Sequence, residues 1–393
     1  MKHYDMFSFL PLLFVMLFSL STANTVYDVV QLGAISDGKT DCTNAYLKAW
    51  TLACNTVGSA TITVPPGRYL LKEIVFGGEC KNSDTTIYIN NEATLVAPSD
   101  YNVLGKSEAW IKFEKVNGVS IYGGTLDAQG TALWACKSGN GKCPDGATSL
   151  KFIGSRDIVI QGLASTNSQM FHIVISDCEN VKVQEVVVTA SGNSPNTDGI
   201  HVESSSGVTI TRTSIKTGDD CISIGPGTTN LWIENVACGP GHGISIGSLG
   251  KEFNEQGVQN VTVKTVVFTG SQNGLRIKTW PKPSNGFVKD VLFQDAIMNN
   301  VENPIIINQN YCPHNDDCPN KGSGVKISDV TYKGIHGTSA TQVAVEFHCS
   351  VQQPCRGIIL ENVDLTYQNK AAQSSCTSAD GSTYGVVHPS SCL

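Results

Sequence analysis

Eight short segments of one form recur along this chain. They are Gly118-Val-Ser-Ile, Asp157-Ile-Val-Ile, Asn180-Val-Lys-Val, Gly207-Val-Thr-Ile, Asn230-Leu-Trp-Ile, Asn260-Val-Thr-Val, Gly324-Val-Lys-Ile and Gly357-Ile-Ile-Leu. Each opens on Gly, Asn or Asp and continues as a run rich in branched apolar residues. Several lead into a second short run, as in Glu185-Val-Val-Val-Thr189, Val266-Val-Phe-Thr269 and Asp364-Leu-Thr-Tyr367. From Asp157 to Asn180 is 23 residues, from Asn180 to Gly207 is 27, and from Gly207 to Asn230 is 23. A period in this range marks a solenoid or a propeller. A four-stranded blade needs about 40 residues, and the Leu/Asn grammar of leucine-rich repeats is absent. Two or three strands of four residues joined by bends fill 23 residues. That is one coil of a parallel β-helix. Gly and Asn suit the bends because these use left-handed backbone angles. Branched apolar residues fill the stacked interior. The chain is therefore predicted to be all-β, a single-domain right-handed parallel β-helix of about ten coils over residues 24–393. A β-sandwich is the competing architecture.

One helix is expected, capping the N-terminal end over residues 44–54. Thr43 is its predicted N-cap, and Tyr46, Leu47, Trp50, Leu52 and Ala53 its apolar face. No other helix is expected. Ahead of it, residues 1–23 have the form of a secretory leader: Lys2 and His3, an apolar run from Met6 to Leu20, then Ser21-Thr22-Ala23. The apolar run is short for a membrane span of about 20 residues, so cleavage before Asn24 is expected rather than anchoring. A secreted chain with 14 cysteines is expected to form disulfides. Close spacings predict Cys136–Cys143, Cys221–Cys238, Cys312–Cys318, Cys349–Cys355 and Cys376–Cys392, with Cys42, Cys54, Cys80 and Cys178 left unassigned. The stretch Cys312-Pro-His314-Asn-Asp-Asp-Cys318 also has metal-ligand chemistry, which an oxidising compartment disfavours. Asn260-Val-Thr262 is a glycosylation sequon.

Charged residues make up only 16% of the chain, and the formal net charge is −7. No dense Lys/Arg stripe exists, which excludes a basic nucleic-acid module. Hydrophobic residues make up 40%, which excludes disorder as the main state. In so charge-poor a chain, four polar stretches stand out: Asn196-Thr-Asp198, Asp219-Asp220, Gly-His242-Gly and Arg276-Ile-Lys278. Asp198 to Asp220 is 22 residues and Asp220 to His242 is 22 more, one coil each time. Residues one coil apart stack at roughly 4.8 Å. The three carboxylates and His242 are thus predicted to share one face. Arg276 and Lys278, two apart, point to one side of their strand. Taken alone, each stretch reads as an ordinary turn or surface charge; their common phase makes them a site. His201 is a candidate supporting residue, and His314 and His348 are read as structural. Clustered carboxylates suit either glycoside hydrolysis or calcium binding. The basic residues favour hydrolysis of an anionic sugar, because Arg276 offers a planar fork to a carboxylate and Lys278 a point charge.

These stretches resemble the four signatures of the polygalacturonases, glycoside hydrolase family 28, which read NTD, DD, GHG and RIK. All four stand intact and in order, and the resemblance spans Val26 to Cys392. The flanks Ser194-Pro-Asn-Thr-Asp-Gly-Ile-His and Cys238-Gly-Pro-Gly-His-Gly-Ile-Ser resemble the plant branch, and most of all pollen-type exopolygalacturonases. The resemblance implies that Asp219 is the general acid and that Asp198 and Asp220 activate water, with inversion at the anomeric carbon. It implies that His242 assists the acid, that Arg276, Lys278 and Tyr311 bind the galacturonate, and that Asn196 supports the site. It further implies an acidic polysaccharide as partner, no cofactor or metal, a monomer, and an extracellular place in the plant cell wall. A calcium-dependent lyase or a non-catalytic pectin-binding protein on the same fold are the alternatives.

Overall fold

The computed structural model describes residues 1–2, 24–139, 141–313 and 318–393. The expected leader, apart from Met1 and Lys2, and His314 lie outside the described residues. The repeat folds into coils. One sheet of 11 strands climbs from Ile74–Gly77 to Gln373–Thr377, every neighbour parallel. Along its inner side Ile173, Ile200, Ile222, Ile244, Leu275 and Ile305 are register partners. Each is 0% exposed. The remaining walls are formed by longer parallel strands such as Ser206–Lys216, Thr229–Cys238 and Val258–Thr269. The matched β-branched side chains stack like on like, so each coil buries its apolar face only when its neighbours are in place.

The bends carry the repeat. Gly118, Asp157, Asn180, Gly207, Asn230, Asn260 and Gly357 all adopt left-handed backbone, with φ from 53° to 67°. The first six stack in consecutive coils. Their side chains bond along the stack, with Asn260 Nδ2 donating to Asn230 Oδ1 at 2.6 Å. Gly324 departs from the expected pattern. Its coil bends instead at Asp329, φ 56°. Glycine is needed at position 324 for space, because a Cβ there would lie 2.3 Å from the backbone nitrogen of Ser284.

The capping helix spans Thr43–Asn55 and buries Ala45, Tyr46, Ala49, Trp50 and Ala53. Leu52 faces solvent instead of the core. Trp50 packs 5.3 Å from Phe76, which joins the stacked Phe113–Phe152 pair inside the first coils. Thr43 is not the cap. Asp41 Oδ1 accepts the Thr43 backbone N–H at 3.0 Å, while the Thr43 hydroxyl accepts from the Lys72 backbone N–H. A second helix, Thr131–Ser138, was not expected. Its eight residues bury only Leu133 and Trp134, too little periodicity to recognise in sequence, and Trp134 anchors it by donating to the Ser168 carbonyl at 3.0 Å. All five expected disulfides are formed, so Cys312 and Cys318 are paired rather than metal ligands. Of the unassigned four, Cys54 and Cys80 pair, while Cys42 and Cys178 are buried thiols.

A bend that requires left-handed backbone tolerates Asn and rejects β-branched residues. Asn230→Val is expected to cost about 1–2 kcal/mol, and Gly207→Asn to be near neutral. Chemical denaturation of the two variants checks this, and equal losses would contradict it.

Candidate active site

Four successive strands of the 11-stranded sheet meet at the site: Ile200–Glu203, Ile222–Ile224, Ile244–Leu249 and Asn273–Thr279. Asp198, the Asp219–Asp220 pair and His242 lie in the turns that feed the first three. Arg276 and Lys278 lie on the fourth. Backbone bonds hold the turns in phase: Gly199 N to Asp220 O at 2.9 Å, Cys221 N to Gly243 O at 2.7 Å, and His242 N to Asp219 O at 2.7 Å. The Cys221–Cys238 disulfide ties the acidic turn to the strand that leads into the His242 turn. Gly241, at φ +142°, permits that approach, since a Cβ there would sit 2.6 Å from the Asp219 carbonyl oxygen.

The two conspicuous acids differ in environment. Asp220 is buried, and both its oxygens are occupied. Arg276 Nη2 donates to Oδ1 at 2.7 Å and Lys278 Nζ to Oδ2 at 2.8 Å, while Ser245 Oγ donates to Oδ1 at 2.8 Å. Burial alone would raise its pKa. The charges of Lys278 and Arg276, with the hydrogen bonds from Lys278 and Ser245, outweigh that and hold it down at about 2. Asp198 is also buried, and burial drives its pKa well above 3.8, reinforced by the charges of Asp219 and Asp220. Asp220 is thus the fixed anion of the group, and Asp198 the carboxyl most inclined to keep a proton. Asp219 is partly exposed. Its Oδ1 accepts the Asp220 backbone N–H at 2.8 Å and lies 3.0 Å from His242 Nδ1. With Asp219 ionised, His242 Nδ1 carries the hydrogen.

The groove above these residues encloses about 450 Å³, and Asn196, Asp198, Asp219, Lys278 and Tyr311 line it. Lys278 Nζ sits 5.1 Å from the centre of the Tyr311 ring, and Trp280 meets that ring edge-on. Arg276 is placed differently from the expectation that it grips a ligand directly. It is 9% exposed and lies behind Asp220, its Nε donating to Ser245 Oγ at 2.8 Å. A sequence shows that Arg276 and Lys278 share a face. It does not show that a carboxylate from two coils earlier fills the space between them.

Sequence reasoning also missed Ser223, Ser245 and Glu203. Ser223 and Ser245 continue the 22-residue step that begins at His201, a signal that was legible and unused. His348, read as structural, pairs with Glu346 away from this cluster. Ligand atoms of Asp219, Asp220 and His242 lie within 4.8 Å of one another. This set suits a metal poorly. Calcium takes six to eight oxygens, and both Asp220 oxygens already face cations.

A carboxyl whose folded pKa is raised costs stability as pH climbs past its unfolded value and costs nothing below it. Asp198→Asn removes that cost. Its melting temperature is expected to exceed the wild type's by a few degrees at neutral pH, with the gap closing as pH falls below 3.8. A gap independent of pH would contradict the burial of an ionisable Asp198.

Residues 54–390 match the model of the glycosyl hydrolases family 28. The chain is 62% identical to a polygalacturonase from Prunus persica over 386 residues, 98% of either chain. It is 42% identical to an exopolygalacturonase from Platanus acerifolia, over 91% of this chain and 94% of the other. Among solved structures, an endo-xylogalacturonan hydrolase from Aspergillus tubingensis shares the fold with a TM-score of 0.79. It covers 92% of this chain and 99% of its own at 24% identity. A motif column in phase, a parallel β-helix that supports it and a family match across most of the sequence lead to one conclusion: this chain belongs to the glycosyl hydrolases family 28.

Proposed function

We propose that this protein is a polygalacturonase that hydrolyses α-1,4 bonds between galacturonate units of pectin, with inversion, releasing units from the chain end. It acts outside the cell in the plant wall as a monomer. The observation that carries this reading is the groove in which a partly exposed Asp219 stands beside two buried carboxylates and Lys278, with Lys251 also in the lining. Asp219, oriented by His242, gives its proton to the glycosidic oxygen. Asp220, kept ionised by Arg276 and Lys278, draws a proton from the attacking water, and Asp198 shares that role only in its ionised form. Inversion requires the acid and base to stand roughly 6.5–9.5 Å apart, leaving room for that water. An ammonium has three donors. Lys278 uses one on Asp220, which leaves others for the sugar carboxylate beside Tyr311. Arg276 acts on the substrate only through Asp220.

Attack from the chain end is supported by the wall over residues 247–257. Gly247, Ser248, Lys251, Glu252 and Glu255 all line the groove. Glu255 braces this wall by accepting the backbone N–H of Gly250, Lys251 and Glu252, at 2.5 to 3.4 Å. Glu252 and Glu255 outnumber Lys251 on that flank, which disfavours a continuous polyanion there. Relatives named polygalacturonase and exopolygalacturonase are both similar to this chain, so the mode of attack is tested directly. Chromatography of early products from polygalacturonate is expected to give monomer alone, and mixed oligomers would establish internal cleavage instead.

Asp219→Asn is expected to lower kcat by about a thousandfold with little change in KM, the scale of general acid catalysis. Reducing-end assays check this, and near-wild-type turnover would reject Asp219 as the acid. A chelator is expected to leave the rate unchanged and the products without ultraviolet absorbance. Loss of activity, or an absorbing unsaturated product, would point to a calcium-dependent lyase.

A further inference from the structure

Glu203, His201, Ser223 and Asp198 form a line of polar groups across the groove floor that the scheme above uses only at its end. His201 and Ser223 are register partners on neighbouring coils. His201 Nδ1 lies 2.8 Å from Ser223 Oγ, and Nε2 lies 3.6 Å from Glu203 Oε2. Glu203 is itself held by Ser176 Oγ at 3.0 Å. The imidazole packs against Phe171, ring centres 5.2 Å apart. On its other side Gly225 leaves room, since a Cβ there would come within 3.3 Å of the ring. Ser223 and Asp198 line the groove together, and the Ser223 hydroxyl acts to lower the Asp198 pKa against the effect of burial. One hydroxyl therefore serves two neighbours, and it has one proton to give.

The proton count decides which neighbour receives it. Glu203 is held ionised, at a pKa of about 2, chiefly by His201 beside it. It can only accept, so the hydrogen of a neutral His201 resides on Nε2. Nδ1 is then an acceptor, and the Ser223 proton turns towards it. When His201 is protonated, Nδ1–H donates to Ser223 Oγ, and the hydroxyl proton is free to point at Asp198. We propose that His201 is a positioning residue for Asp198, directing the Ser223 hydroxyl towards or away from that carboxylate according to its own protonation. A carboxylate that accepts a hydrogen bond is favoured in its anionic form, the form that activates water. The arrangement makes Asp198 the better base when both ring nitrogens of His201 carry hydrogen. The charged groups around it are Glu203 on its own strand, Lys151 acting through Glu203, and Asp198 with its neighbours Asp219, Asp220 and Lys278. The inference rests on the polygalacturonase reading, since it needs Asp198 to serve as a base.

The test compares wild type, His201→Gln, Ser223→Ala and the double variant on polygalacturonate across the acidic and neutral range. Facing Glu203, the Gln amide presents N–H to that carboxylate and its oxygen to Ser223, which mimics neutral His201 at every pH. Both single variants are expected to move the acidic limb of the kcat profile up by about one pH unit, with KM within about twofold. The double variant is expected to match Ser223→Ala alone, because the two act as one unit. Melting curves establish that each variant is folded. Ser223→Ala, the smaller change, carries the test if His201→Gln is destabilised. Unmoved limbs, additive losses, or a change confined to KM would overturn the role of His201. If the wild type releases no reducing ends, the activity reading falls and this role with it.

Discussion

A parallel ladder allows no residue to choose its neighbour freely. In this protein, apart from one short antiparallel pairing at Thr366–Ala371, the partner of a strand residue lies one coil away, held by backbone hydrogen bonds at the strand spacing of roughly 4.8 Å. Everything else depends on that constraint. The interior must carry like residues on like, as the column from Ile173 to Ile305 does. The bends must fall at matching positions, as the left-handed residues from Gly118 to Asn260 do. The same constraint assembles the groove. Asp198, Asp220 and His242 are brought together because their turns are one coil apart, and the bonds from Gly199 to Asp220 and from Cys221 to Gly243 carry the coil-to-coil spacing into those turns.

Electrostatics then separates groups that the ladder has crowded. Three carboxylates on adjacent coils cannot all stay ionised away from water without compensation. Asp220 is compensated by a guanidinium, an ammonium and a hydroxyl, and becomes a fixed anion. Asp198, buried beside two other acids, resists ionisation. Asp219 faces the groove and is oriented by His242. Similar residue types thus take different states because their surroundings differ, the arrangement acid–base catalysis requires. The chain's net charge of −7 says little about its partner. Lys278 beside Tyr311 and Lys251 on the 247–257 wall bring positive charge to the groove despite that sum.

The legible parts of this protein are those governed by period. The coil, its bends, the phase of the four signature stretches and the close-spaced disulfides all follow from spacing. The misread parts lacked such a signal. The second helix is too short to show a periodicity. Gly324 has the sequence form of a bend, yet serves to let Ser284 approach. Thr43 has the residue type of a cap, yet it is the first residue of the helix, and the N-cap position falls on Cys42 without a side-chain bond. Cys54 and Cys80, 26 residues apart, are paired by the docking of the capping helix on the first coils, a tertiary event.

Residue spacing is enough to say that the chain coils and which residues share a column, because a parallel ladder converts a count of residues into a position in space. What each member of the column does depends on how the coils close around it. That closure set Arg276 behind Asp220 rather than in the groove, and left Lys278 at its edge. It placed Ser223 between His201 and Asp198. These outcomes turn on side-chain direction and on the exclusion of water, and both arise only when neighbouring coils close over the groups between them.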